Sequence, residues 1–92
     1  MLEKDVERQI CKFAKDNGIT VLKLGGMNDR GKADRMFMKG GVAAFLEIKA
    51  PGKKPTELQL RFLAQRKADG FHASWVDNRM DGEFFLMEAF NL

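Results

Sequence analysis

The chain predicts an α/β fold, a mixed sheet flanked by helices in the order α-β-β-β-α-β-α. Three observations carry that expectation. Leu2, Val6, Ile10 and Phe13 recur at helical spacing. Two β-type runs, Ala33 to Met38 and Val42 to Lys49, flank Lys39-Gly40-Gly41, and two glycines supply the positive φ angles of a tight hairpin, hence antiparallel pairing. A helical segment from Thr56 to Asp69 then separates that hairpin from a further β-type run, and a crossover of this kind favours a parallel neighbour.

Taken in order, residues 2 to 17 form an amphipathic helix that stops at Asn17-Gly18. Ile19 to Leu24 is β-branched and apolar and leads through Gly25-Gly26 into a flexible loop that runs to Lys32. The hairpin follows. Ala50 to Pro55 cannot continue a central strand, because its two prolines lack ladder donors, so it is expected to be a basic loop. The helix from Thr56 closes at Gly70, Phe71 to Val76 makes the fourth strand, Asp77-Asn78 breaks it, and Gly82 to Phe90 makes a short last helix. Repeats, low-complexity tracts and linkers are missing, so residues 1–92 are expected to form one domain.

Composition narrows the function classes. No signal-peptide pattern or apolar run of the ~20 residues needed to cross a bilayer occurs, which makes a soluble, cytoplasmic protein with no membrane partner the default. One cysteine, Cys11, and one histidine, His72, exclude both an internal disulfide and a zinc-site spacing. The net charge of +3 is unevenly distributed. Residues 23 to 39 carry five cations against two acids, and residues 49 to 67 six against one, whereas the tail from Asp77 holds four acids against Arg79. Positive charge therefore brackets the middle of the chain, as a polyanionic substrate would require.

That middle contains the chemistry. In a strand, side chains two apart share a face, so Glu47 and Lys49 project together while Leu46 and Ile48 point the other way into apolar packing. Asp34, in Gly31-Lys32-Ala33-Asp34-Arg35, is expected on the neighbouring strand. Two carboxylates and an ammonium then converge. Carboxylate oxygens suit Mg²⁺ and Mn²⁺, and a lysine beside such an ion can orient or deprotonate a water aimed at a phosphodiester.

Each residue also has a plainer reading. Asp34 alone fits a turn aspartate. Glu47 lies in a run apolar enough for burial on both faces, where a carboxylate needs a partner, and Lys49 as a salt bridge would serve as well as a metal. Gln59 closes a capping box, Thr56-Glu57-Leu58-Gln59, yet also falls on the helix face of Leu58, Phe62 and Leu63 that should meet the sheet. Lys53 and Lys54 suit either phosphate contacts or a solvated loop. His72 lacks a chemical partner, Trp75 is read as packing and Cys11 as a helix-face residue.

With these pieces in order, the chain resembles a VRR-NUC domain, a branch of the PD-(D/E)xK nucleases, in the small stand-alone form found in bacteriophages. The resemblance spans nearly the whole chain: Glu3 in the first helix, Gly31-Lys32-Ala33-Asp34-Arg35, Glu47-Ile48-Lys49, the Lys54-Pro55-Thr56-Glu57-Leu58-Gln59 helix start, and Gly70 before the last strand. One departure is Ala33, where the family usually has a proline that shapes backbone and ligates nothing. The resemblance implies a restriction-endonuclease-like fold, with Asp34, Glu47 and the Ile48 carbonyl as ligands of Mg²⁺ or Mn²⁺. It further implies Lys49 positioning the nucleophilic water, a functional Gln59, and an acid on the first helix. Glu3 matches that acid, since helix geometry sets it at the edge of the apolar stripe and turns Glu7 further toward solvent. Lys32, Arg35, Lys53 and Lys54 are the expected contacts to DNA.

The expectation is a metal-dependent DNA endonuclease, phage-encoded in a bacterial host and selective for branched or four-way-junction DNA as a homodimer. The apolar tail helix with Phe84, Phe85, Leu86, Met87 and Phe90 is the expected part of the dimer surface. Two alternatives stand beside it: a non-catalytic DNA-binding or scaffold domain of the same fold, and an RNA-directed nuclease.

Overall fold

The structure is a computed structural model that describes residues 1–25, 31 and 33–92. Helix α1 (Glu3–Asp16) precedes strands β1 (Thr20–Lys23), β2 (Arg35–Lys39) and β3 (Val42–Ile48). Helix α2 (Glu57–Ala68), strand β4 (His72–Val76) and helix α3 (Arg79–Phe90) complete the order. The strands lie side by side as β1-β2-β3-β4, antiparallel across the first two pairings and parallel between β3 and β4. This is the mixed sheet that the hairpin and the helical crossover predict.

Local rules account for most boundaries. Lys39 pairs with Val42, so the hairpin loop is Gly40-Gly41, and φ of 56° and 80° at these two positions is a conformation that side chains with a Cβ resist. Thr56 caps α2 by accepting from the Gln59 amide at 3.2 Å, and Gln59 Oε1 accepts from the Thr56 amide at 2.9 Å. At the end of α1, Asn17 Nδ2 donates to the Phe13 carbonyl at 2.8 Å and Gly18 takes a positive φ.

Three expectations need correction. Helix α3 begins at Arg79, ahead of Gly82, because Asn78 Oδ1 accepts from the Asp81 amide at 2.9 Å and so sets the helix start upstream. Gly82 is a packing site and not a boundary: a Cβ there would collide with Ile10 Cδ1, so its missing side chain lets α3 cross close to α1. Asp34 sits one residue before β2, although its carbonyl still accepts from the Leu24 amide at 2.9 Å.

The sheet separates two apolar clusters. On the face covered by α1 and α3, Val6, Ile10, Ala14, Phe37, Leu46, Ile48, Val76 and Leu86 form the larger core. On the α2 face, Ala33, Phe45, Leu63 and Ala73 form a smaller one, and the Phe45 ring meets Phe62 and Phe71 edge-on at 5.8 and 5.5 Å. In the tail helix Leu86 is fully buried, and Phe85 and Phe90 pack on the larger core. Met80 and Phe84 are the large apolar side chains that α3 leaves exposed. Among the described residues, no helix is long and apolar enough to cross a membrane.

Candidate active site

Strand alternation sends Leu46 and Ile48 into the larger core and Glu47 to the α2 face, at the end of β3. Glu47 is 2 % exposed, the one buried charged residue among the described residues. Its Oε2 accepts from Gln59 Nε2 at 3.0 Å and lies 3.1 Å from Lys49 Nζ. Gln59 therefore caps α2 through Oε1 and also holds the Glu47 carboxylate through Nε2. The geometry also contains the plain salt bridge between Glu47 and Lys49.

That pairing leaves the carboxylate half satisfied. Glu47 Oε1 is buried and has no hydrogen-bond donor among the described residues, and the same is true of Asp34 Oδ2. Burial raises the Glu47 pKa and the nearby Asp34 charge raises it further, while Lys49 pulls it back. Two neighbouring acids, each with an orphaned buried oxygen, form a donor set suited to a hard divalent cation, which would supply the missing positive charge.

Asp34 is shared with a second group of acids. Carboxylate oxygens of Glu3, Glu7 and Asp34 lie within 4.8 Å of one another, and Glu47 stands outside this trio. Glu7 does not turn away to solvent as helix geometry suggests. Its side chain is 19 % exposed, and Oε2 lies 3.3 Å from Arg35 Nη2. Burial, then a hydrogen bond and repulsion from Asp34, push the Glu7 pKa up to about 7, with Arg35 opposing. A signal was available in the sequence, because Glu7 follows Glu3 by one helical repeat and thus shares its face. What could not be read was how α1 is rotated against the start of β2.

The expected DNA contacts divide. Lys53 and Lys54 are exposed in the loop after β3, which the Gly52 amide ties to Asp77 Oδ2 at 3.0 Å. Lys32 lies outside the described residues. Arg35 is committed inward: besides Glu7, it donates to the Asp34 carbonyl at 3.2 Å, so it orders the acids. Trp75, paired with Glu47 across β3 and β4, packs on the smaller cluster.

A mixed sheet with an acid at the start of one strand and an acid-x-lysine pair on the next defines a restriction-endonuclease-like α/β class. The chain is 32% identical over 78 residues to "Putative nuclease p44" of Acyrthosiphon pisum secondary endosymbiont phage 1, an alignment that covers 84% of each chain. A solved VRR_NUC domain superposes with a TM-score of 0.81 at 24% identity, covering 96% of each chain. No family model matches. The chain belongs to the same family as this phage protein, and its fold is that of a VRR_NUC domain.

Proposed function

We propose that this nuclease is a Mg²⁺- or Mn²⁺-dependent DNA endonuclease. The observation that carries the reading is the pair of orphaned buried oxygens on Asp34 and Glu47 beside the Lys49 ammonium. Asp34, Glu47 and the Ile48 carbonyl would hold the ion, with Glu3 or Glu7 completing its surroundings from α1. When bound, such an ion lowers the pKa of a water and polarises a phosphate oxygen. Lys49, only partly exposed and already drawn toward Glu47, orients the attacking water and offsets charge that builds on the phosphate. Gln59 fixes the Glu47 rotamer through a helix cap that is itself locked, and Arg35 keeps Glu7 and Asp34 in place. Lys32, Lys53 and Lys54 would meet the phosphate backbone, a mode of contact that favours DNA shape over sequence.

One chain carries one such site, so cutting both strands of a branched or four-way junction calls for a homodimer. Met80 and Phe84 are the α3 side chains free to contribute to it, and the enzyme would act inside a phage-infected bacterial cell. Phe85 is unsuitable as a probe because it packs against the core.

The test is cleavage of labelled single-stranded, duplex, flap and four-way-junction DNA, with matched RNA, in Mg²⁺, Mn²⁺ or EDTA. Unaltered protein is run beside Glu47→Ala and Lys49→Ala. Metal-dependent cutting of DNA that both variants lose is the expected result. Junction binding without cutting, equal in all three proteins, would instead favour a non-catalytic DNA-binding domain.

A further inference from the structure

Beside the acid cluster, a groove of about 620 Å³ runs between α1 and the β1 edge of the sheet. Among the described residues six cations line it, Lys4, Arg8, Lys12, Lys15, Lys23 and Arg35, against one acid, Glu7, which pairs with Arg35. Lys4, Arg8 and Lys12 follow one another by four residues, which stacks them along one face of α1 at about 6 Å intervals. Asp5 and Asp16 offset part of this charge, pairing with Arg8 at 3.1 Å and Lys12 at 2.7 Å. Both are pairs within one helix whose cation is largely exposed, of the kind that contributes little and yields to a stronger anion. A solvated helix face accounts for lysines in general, but not for their collection around a concavity.

The groove is also continuous with the site. Glu7 and Arg35 line it, and both touch the surroundings of Asp34. We infer that this groove is the track along which the sugar–phosphate backbone of a DNA strand reaches the acid cluster. The inference rests on the nuclease reading above and adds a binding surface on α1 to the loop lysines. No aromatic side chain lines the groove among the described residues, so the strand is held by its phosphates without base stacking and without sequence preference.

The chain carries its own reporter there, since Cys11, its single cysteine, is free and lines the groove. The experiment measures binding of a labelled four-way junction and a duplex in EDTA across a salt series. It compares unaltered protein with Lys12→Gln/Lys15→Gln and Lys12→Arg/Lys15→Arg. The reaction of Cys11 with a maleimide is followed with and without DNA. Neither lysine belongs to the proposed catalytic machinery, and the Lys12 side chain is 75 % exposed, so folding is preserved.

The glutamine variant is expected to bind on the order of 10-fold more weakly, with the slope of log Kd against log salt reduced by about 2. The arginine variant restores both, and DNA slows the maleimide reaction. An unchanged salt slope together with unprotected Cys11, while the unaltered protein still binds and cuts DNA, overturns the groove alone. If the unaltered protein neither binds nor cuts DNA, the nuclease reading fails and the groove assignment falls with it.

Discussion

The two faces of the sheet do different work. Beneath α1 and α3 the contacts are apolar, and Gly82 brings the helices so close that an added methyl group would collide with Ile10. Beneath α2 the apolar cluster is smaller and ends in a buried carboxylate, an ammonium and an amide held by hydrogen bonds. Tight packing resists changes of volume, whereas the polar face resists changes of charge and donor. Stability and chemistry should therefore separate by face, and the separation can be attacked.

The largest expected effect lies on the α2 face. Glu47→Gln keeps an acceptor for Gln59 and Lys49 but removes the charge, so metal-dependent cleavage should fall by roughly a thousandfold or more. Thermal stability of the metal-free protein at pH 7 should hold or rise, because a buried acid with a raised pKa weakens the fold once ionised. A large loss of stability in that variant would show that the face is structural after all.

On the opposite face, Gly82→Ala should cost about 1–3 kcal/mol and lower the melting temperature by several degrees. Cleavage measured well below the transition should stay intact. Adding Ile10→Val, which removes the atom nearest the new methyl group, should recover part of the loss.

A smaller effect comes from dividing the two roles of Gln59. Thr56→Ala removes one cap bond and should cost about 1 kcal/mol with little change in cleavage. Gln59→Ala removes the reciprocal cap bond and the Glu47 bond together, so it should cost somewhat more and slow cleavage about tenfold. Equal effects of the two on cleavage would mean that Gln59 acts only as a cap.

The smallest effect tests the seam between the faces, where Glu7 meets Asp34. An acid whose folded pKa stands near 7 keeps a proton that the unfolded chain releases near 4.5. The folded state then binds more protons between those values, so metal-free stability should fall as pH rises from about 4.5 to 7 and level off above. After screening at this partly open position the change should be on the order of 1 kcal/mol, and Glu7→Gln should flatten it. Calorimetric titration with Mn²⁺ near pH 6 should also release protons, fewer in that variant.

Much of the α2 face is legible in the sequence itself. Alternation puts Glu47 and Lys49 on one side of a strand, paired glycines set the hairpin, and the Thr56–Gln59 capping box marks a helix start, because each depends on neighbours a few residues away. The composition of the tail helix, by contrast, offers no way to tell Leu86, which enters the core, and Phe85, which packs against it, from Phe84, which stays exposed.

The order of elements and the pairs that local geometry brings together thus follow from the sequence alone. Tertiary structure decided that Glu7 joins Glu3 and Asp34, that Arg35 turns inward to order them, that Gly82 is a contact and not an end, and that six cations surround one groove. The physical reason is shared by all four. Each depends on how a helix is rotated and how closely it lies against the sheet or another helix, and that placement follows from packing summed over distant residues, which no local spacing encodes.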